Sequence, residues 1–232
     1  MKNTAIISRL LPVLTFLLFA ASLFMVFIYV PTEETMGIVQ RIFYFHVPVA
    51  WIAFLAFFIV FIGSIMYLWK RQIIWDTIAS SSAEIGLVFA TLVLITGSIW
   101  AKPIWGVWWV WEPRLTTSLV LWFIYAAYLL VRSYASEESR GARFSAVVGI
   151  IGFIDVPIVA LAITMWRTQH PGPVIFGGGL ATSMLITLLV CLVAFTTLYA
   201  LLLIQRVSLK KRENEIKILQ NDDLILEKDT GG

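Results

Sequence analysis

The sequence predicts an all-α integral membrane protein: a six-transmembrane-helix bundle with an outer, tryptophan-rich interfacial segment between helices 3 and 4. Of its 232 residues, 60% are hydrophobic and only 13% are charged. Long apolar stretches recur six times, several of them at or beyond the roughly 20 residues that a helix needs to cross a bilayer. They lack the alternating pattern of a membrane β-barrel, and helices are the other structure that satisfies every backbone polar group in lipid.

The predicted spans are 10–30, 46–69, 83–101, 115–131, 144–165 and 180–204. The first span follows two basic residues and contains small residues at 20–22, as a cleavable signal peptide would. It nevertheless stays apolar to Val30, which is long enough to cross the membrane, so we expect a retained first helix. Residues 1–205 then form one transmembrane domain. Residues 206–232 mix charges of both signs, which predicts a cytoplasmic, partly disordered tail.

Lysine and arginine residues predict the orientation of the bundle. The N-terminus, 70–82, 132–143 and the region from 205 hold 13 of the 17 basic residues. Basic loops stay in the cytoplasm, so we expect both termini there and the tryptophan-rich segment outside. The four outer basic residues are Arg41, Lys102, Arg114 and Arg167. The net charge of +3 does not imply nucleic-acid binding, because the basic residues after 205 suit anionic lipid headgroups of the bilayer.

The chain has two histidines, and both fall on the predicted outer side. His46 lies in "RIFYFHVPVAW", where Pro48 favours a helix that begins just after the histidine, although an earlier start is also compatible. His170 lies in the turn-rich "RTQHPGPVIFGGG". Two imidazoles at one depth can bind a single haem iron from opposite faces. The alternative, that each is an interfacial hydrogen-bonding residue, remains open.

The segment 100–116 contains five of the ten tryptophans and ends in "IWGVWWVWEPRLT". Spacings of three and four predict a short interfacial helix between Pro103 and Pro113 with several rings on one side. Such an aromatic shelf suits a flat, apolar ring, and nearby basic residues could pair with carboxylates at its edge. An aromatic belt at the membrane interface is the alternative, and we prefer it for Trp51, Trp69, Trp75 and Trp122.

These stretches resemble a known family. "WGVWWVWEPRLT" is similar to the WWD motif of proteins that handle haem in cytochrome c biogenesis. Together with "AEIG", "TGSIWAKPIWG", "RIFYFHVP" and the outer His170, it resembles the haem exporter protein C (CcmC) family from about residue 37 to 205. The resemblance implies a bacterial inner-membrane protein, not an enzyme, that binds haem b at its outer face.

The resemblance also implies roles for individual residues. His46 and His170 would be axial ligands of the haem iron. The haem would lie on the WWD segment and be surrounded by Trp105, Trp108, Trp109, Trp111, Arg41 and Arg114, with the two arginines near the propionates. Glu112 stands where the family usually has Asp, and the resemblance implies a role for it in partner docking. The alternative is that its negative charge favours the N-terminus of the fourth helix.

The resemblance further implies partners. The protein would present haem to a periplasmic haem chaperone (CcmE-like), which captures it covalently. ABC-type transporter subunits (CcmA-like and CcmB-like) and a small single-helix subunit (CcmD-like) would join the complex.

Two other functions remain open at this point. A b-type membrane cytochrome in quinone-linked electron transfer would need a second haem to cross the bilayer, and no histidines remain for one. A secondary transporter would need broken helices with polar residues near the midplane. Asp155, inside the fifth predicted span, is thin support for transport and equally suits a helix-to-helix hydrogen bond.

The distribution of basic residues predicts which loops lie outside the cytoplasm, and reporter fusions can test this. A reporter that is active only outside the cytoplasm should be active when fused after Val110 or Gly172, and silent when fused after Trp75 or Glu138. The measurement is reporter activity normalised to the amount of fusion protein. The opposite pattern would place both histidines on the cytoplasmic side.

Overall fold

The computed structural model describes residues 2–135, 138–166, 169, 170, 172, 175 and 178–230. In these residues the chain is almost entirely helical, and the prediction of an all-α fold is confirmed. Six helical segments are long and apolar enough to cross a membrane: Arg9–Tyr29, Ile38–Lys70, Ile73–Trp105, Pro113–Tyr134, Ser139–Met165 and Thr182–Gln220. They correspond one to one with the six predicted spans.

The α-helices are α1 (Lys2–Phe24), α2 (Phe43–Lys70), α3 (Ile73–Trp105), α4 (Pro113–Tyr134), α5 (Glu138–Gly152), α6 (Asp155–Met165) and α7 (Thr182–Thr230). A π-helical turn, Met25–Tyr29, extends α1, and a 3-10 helix, Ile38–Ile42, leads into α2. We call the end of the bundle near 71–72 and 135 the basic end. The opposite end, near 31–42 and 106–112, is the tryptophan end.

The antiparallel pair α2 and α3 forms the centre of the bundle, and small residues let the two helices approach closely. A Cβ atom placed on Gly63 would lie 3.0 Å from the Cβ of Ala79. One placed on Gly86 would lie 2.7 Å from Cε1 of Phe57. Such small residues are typical of helix interfaces in membranes, where packing replaces the hydrophobic effect as the source of affinity. On its other side Phe57 stacks on Tyr125 of α4, with ring centres 3.7 Å apart.

Ion pairs join α7 to α3 and α4 to α3 toward the basic end. Nε of Arg206 donates to Glu84 over 2.6 Å, and Nζ of Lys210 lies 2.8 Å from the same carboxylate. Arg132 of α4 pairs with the buried Asp76 of α3. Glu84 therefore anchors the last helix to the central pair.

Three local predictions differ from the structure. Residues 206–230 continue α7 as one helix, where a partly disordered tail was predicted. The fifth span is broken between α5 and α6 at residues 153–154, so Asp155 begins a helix instead of lying inside one. The short interfacial helix is absent, because α3 runs through Pro103 to Trp105 and residues 107–112 are not helical.

The close packing at Gly86 yields a stability prediction. Replacing Gly86 with Val should lower the melting temperature of the detergent-purified protein by roughly 2–12 °C. Overpacking costs about 1–3 kcal/mol, and each kcal/mol shifts Tm by about 2–4 °C at this chain length. Gly172→Val is the matched control, since a Cβ at Gly172 has nothing within 4 Å. Equal melting temperatures for both variants would contradict the close approach of α2 and α3.

Candidate functional site

A cleft opens at the tryptophan end and is bounded by α2, α3, α4, α6 and the loop before α7. Together with the open space at its mouth, it encloses about 780 Å³. Five of the residues singled out from the sequence line it: His46, Trp105, Trp109, Arg114 and His170. Apolar side chains, among them Phe54, Val93, Leu94 and Val159, form much of the remaining wall.

His46 lies in the first turn of α2, which begins at Phe43. The expectation that the helix starts after the histidine is therefore wrong, and the earlier start is the one observed. Only 9% of the His46 surface is exposed. Its Nδ1 lies 2.8 Å from Oγ1 of Thr96 on α3, so Nε2 is the ring nitrogen left to bind a ligand. The fold thus holds one potential ligand firmly against the central helix pair.

His170 comes from the loop between α6 and α7 and is half-buried. It lines the same cleft as His46, so the structure brings the two histidines of the chain to one cavity. Arg167, the nearby basic residue singled out from the sequence, lies outside the described residues.

The tryptophan-rich segment is a loop pinned at its start. Gly106 adopts φ 77°, which ends α3 in a left-handed conformation that glycine tolerates best. Nζ of Lys102 donates to the Gly106 carbonyl over 2.9 Å and lies 6.0 Å from the ring centre of Trp108. Because the helix stops here, the three-and-four spacing of the rings does not place them on one side.

The four tryptophans of the expected platform divide into two pairs. Trp105 and Trp109 line the cleft, whereas Trp108 and Trp111 do not and are 56% and 76% exposed. Trp111 contacts Trp109 edge to face, with ring centres 5.6 Å apart. The segment therefore has an inner pair of rings that faces the cavity and an outer pair that forms a surface.

Polar donors in the cleft fit a ligand that carries carboxylates. The Nε1 atoms of Trp100 and Trp109 are buried, and neither has a hydrogen-bond partner among the described residues. Both rings line the cleft, as does the guanidinium-bearing Arg114. An unpaired buried N–H costs about 1–3 kcal/mol, which a bound acceptor would offset. Haem combines an apolar ring with two propionates, so these residues fit it.

The described residues contain no group of three or more His, Cys, Asp or Glu that could hold a bare metal ion. The iron of haem is already held by its macrocycle and takes its axial ligands from the protein. Two histidines at one cleft are therefore sufficient for haem.

Arg41 and Glu112 lie outside the cleft lining. Arg41 donates to the Phe27 carbonyl over 3.2 Å, which ties the start of α2 to the end of α1. Glu112 is the N-cap of α4 and accepts the Leu115 N–H over 3.0 Å, as expected for an acid at a helix N-terminus. Only 9% of Glu112 is exposed, so most of its carboxylate is hidden from a partner surface.

Sequence reasoning did not assign roles to three residues of α3 that surround His46. They are Thr96, Gly97 and Trp100, whose ring meets His46 edge to face with centres 5.9 Å apart. All three fall within "TGSIWAKPIWG". Their spacing places them on one side of a helix, but only the pairing of α2 with α3 reveals that the side faces a histidine.

Comparison with known proteins identifies the family of the chain. The family model described as "Heme exporter protein C" matches residues 1–221. Two proteins of that name are similar: one of Bradyrhizobium diazoefficiens, 33% identical over 207 residues, covering 87% of this chain and 79% of the relative, and one of Haemophilus influenzae, 32% identical over 216 residues, covering 91% and 87%. A Marchantia polymorpha mitochondrial protein, named as ccmC-like in cytochrome c biosynthesis, is 32% identical over 167 residues, which is 71% of each chain. The chain therefore belongs to the haem exporter protein C family and is a haem-handling membrane component of cytochrome c biogenesis, not an enzyme.

Proposed function

We propose that this protein binds haem b in the cleft at its tryptophan end and presents it to a periplasmic haem chaperone. The observation that carries the proposal is that one cleft brings together both histidines, an arginine, and two indole N–H groups that have no hydrogen-bond partner in the described part of the chain. On this proposal the protein lies in the bacterial inner membrane with both termini in the cytoplasm and the cleft toward the periplasm, in agreement with the distribution of basic residues.

His46 and His170 would bind the iron from opposite faces of the ring. His46 would supply Nε2 from a fixed helix, and His170 would supply its imidazole from the outer loop. Haem itself brings the iron, and the chain's contribution is to orient the ring and exclude water from one side of it. The apolar wall of the cleft favours the macrocycle through burial, at about 25 cal/mol for each Å² removed from water.

The inner pair, Trp105 and Trp109, would flank the ring. Arg114, with the indole N–H groups of Trp100 and Trp109, would hold a propionate by charge-assisted hydrogen bonds. Arg41 was expected near the propionates as well. It would act there only indirectly, because it does not line the cleft and instead ties the start of α2 to the Phe27 carbonyl.

The outer pair, Trp108 and Trp111, would belong to the surface that the chaperone (CcmE-like) meets. Exposed tryptophans are enriched at protein interfaces, where they supply much of the binding energy. We further propose that Glu112 acts on docking indirectly, since its buried carboxylate sets the shape of the segment that carries these rings. ABC-type transporter subunits (CcmA-like and CcmB-like) and a small single-helix subunit (CcmD-like) complete the proposed complex within the lipid bilayer.

Axial ligation is tested by removing each histidine. His46→Ala and His170→Ala should each lower the haem content of detergent-purified protein and shift its Soret band, and the double variant should lose more. The reason is that each change removes one iron–nitrogen bond. Haem is measured by the pyridine haemochrome spectrum per amount of protein, and added imidazole should partly restore the Soret position in the single variants.

Trp69→Ala is the control for those variants, because Trp69 is 75% exposed near the basic end. It should keep the haem content of the unchanged protein. A double histidine variant that purifies with full haem and an unaltered spectrum would refute bis-histidine ligation.

Binding and delivery are separated at Glu112. Glu112→Ala should retain haem on this protein but reduce covalent haem on the chaperone from the same cells, because loss of the cap costs about 0.5–2 kcal/mol and loosens the outer segment. Glu112→Asp should be nearly silent, because aspartate also caps helices. The measurement is haem-stained chaperone relative to haem on the purified variant.

Glu112→Gln distinguishes the cap from the charge. Its amide oxygen can still accept the Leu115 N–H, so delivery should persist if the cap is what matters and fall if the negative charge meets the chaperone. If Glu112→Ala loses haem in proportion to delivery, the proposed separation of binding from docking is wrong.

A further inference from the structure

The hydroxyl of Thr96 makes two contacts that together define its role. Oγ1 lies 2.6 Å from the Leu92 carbonyl of the preceding turn and 3.4 Å from that of Val93. It also lies 2.8 Å from Nδ1 of His46. Carbonyl oxygens only accept, so the single hydroxyl hydrogen is used within α3. This arrangement places the hydroxyl to accept from His46, which requires the proton to be on Nδ1.

Two other threonines in the bundle show the same arrangement, and in both cases the partner is an indole N–H, which can only donate. Oγ1 of Thr91 lies 2.8 Å from the Leu87 carbonyl and accepts the indole N–H of Trp122 over 2.8 Å. Thr196 does the same between the Leu192 carbonyl and Trp51. An indole nitrogen can only donate, so a threonine that bonds back to its own helix is an acceptor for a ring N–H in this fold.

The orientation of the His46 ring is fixed by neighbours of Thr96. A Cβ placed on Gly97 would lie 3.2 Å from Cε1 of His46, so the absence of a side chain at Gly97 lets the ring rest against α3. Trp100, one turn further, meets the ring edge to face, with ring centres 5.9 Å apart. The imidazole is therefore held by one hydrogen bond and two packing contacts, all from α3.

We propose that Thr96 is a positioning residue for haem binding: it accepts the Nδ1–H of His46, selects the tautomer with an unprotonated Nε2, and aims that nitrogen into the cleft. This inference rests on the proposed function, because it assigns His46 as a ligand. Hydrogen-bonded partners of metal-binding histidines fix the tautomer and make the imidazole a stronger donor to the metal. Thr96 would thus prepare His46 before haem arrives.

The first arm of the test measures the tautomer without haem. The chain contains two histidines, so protein made with nitrogen-15-labelled histidine gives two imidazole signal sets, and His170→Ala identifies the set of His46. His46 should be the Nδ1–H tautomer when neutral. Thr96→Val, which keeps the shape but removes the acceptor, should shift it toward Nε2–H. Thr96→Ser should keep the original tautomer.

The second arm measures haem. Thr96→Val should weaken haem binding about tenfold to a hundredfold, the range found when such partners of metal ligands are removed. It should also shift the midpoint potential of the bound haem to more positive values, because a less electron-rich histidine stabilises ferric iron less. Thr96→Ser, which keeps the hydroxyl, should have the haem affinity and the midpoint potential of the unchanged protein. Thr91→Val is the matched control, since it removes the same kind of hydroxyl from the same helix, and it should change neither quantity.

The outcomes separate this inference from the proposed function. Loss of the Nδ1–H tautomer with weaker haem binding in Thr96→Val, and recovery of both in Thr96→Ser, supports it. An unchanged tautomer and potential in Thr96→Val overturns it, as does equal damage by Thr96→Ser or Thr91→Val. A third outcome is that Thr96→Val changes the tautomer while haem affinity and spectrum stay the same in both Thr96→Val and His46→Ala. The hydrogen bond would then be supported, and the assignment of His46 as a haem ligand would be wrong.

Discussion

The close packing of α2 against α3 is the contact on which the rest of the structure depends. Its small residues occur along the whole interface, from Gly63 near the basic end through Gly86 to Gly97 at the cleft. Because lipid offers no hydrophobic drive for helices to associate, this pair is stabilised by the number and closeness of its contacts. The packing that brings Phe57 to Gly86 also brings His46 to Gly97, so the candidate ligand site lies where the central interface reaches the tryptophan end.

The sequence predicted the helical framework well because that framework is set by a single strong constraint. Every backbone polar group in lipid must be bonded within the segment, and hydropathy alone then identifies the spans. The breaks depend on weaker, local causes. Within the fifth span, α5 ends at Gly152 and α6 begins at Asp155. Pro157 lies in the first turn of α6 and has no N–H to donate a helical hydrogen bond. A hydropathy pattern does not detect such a break.

The site could be predicted only in part. The sequence singled out five residues that line the cleft because their residue types are rare or distinctive on the predicted outer side: the two histidines, Trp105, Trp109 and Arg114. The three-and-four spacing of the tryptophans led to a wrong prediction of an interfacial helix. Such spacing places side chains on one face only within a continuous helix, and α3 ends at Gly106. Thr96 and Gly97 could not be assigned roles, because an uncharged hydroxyl and a missing side chain gain significance only from the histidine that α2 places against them.

The tryptophan segment is short enough for its two ends to determine its shape. At one end the left-handed Gly106 and the bond from Lys102 fix where α3 stops. At the other end the Glu112 carboxylate binds the first turn of α4. Only residues 107–111 lie between these two junctions. The junctions therefore determine which tryptophan rings face the cleft and which are exposed. Aspartate, the residue implied for this position by the family resemblance, is among the best N-caps. Glutamate makes a capping bond to the Leu115 N–H here with a longer side chain, so this position still caps α4 although the chain departs from the motif.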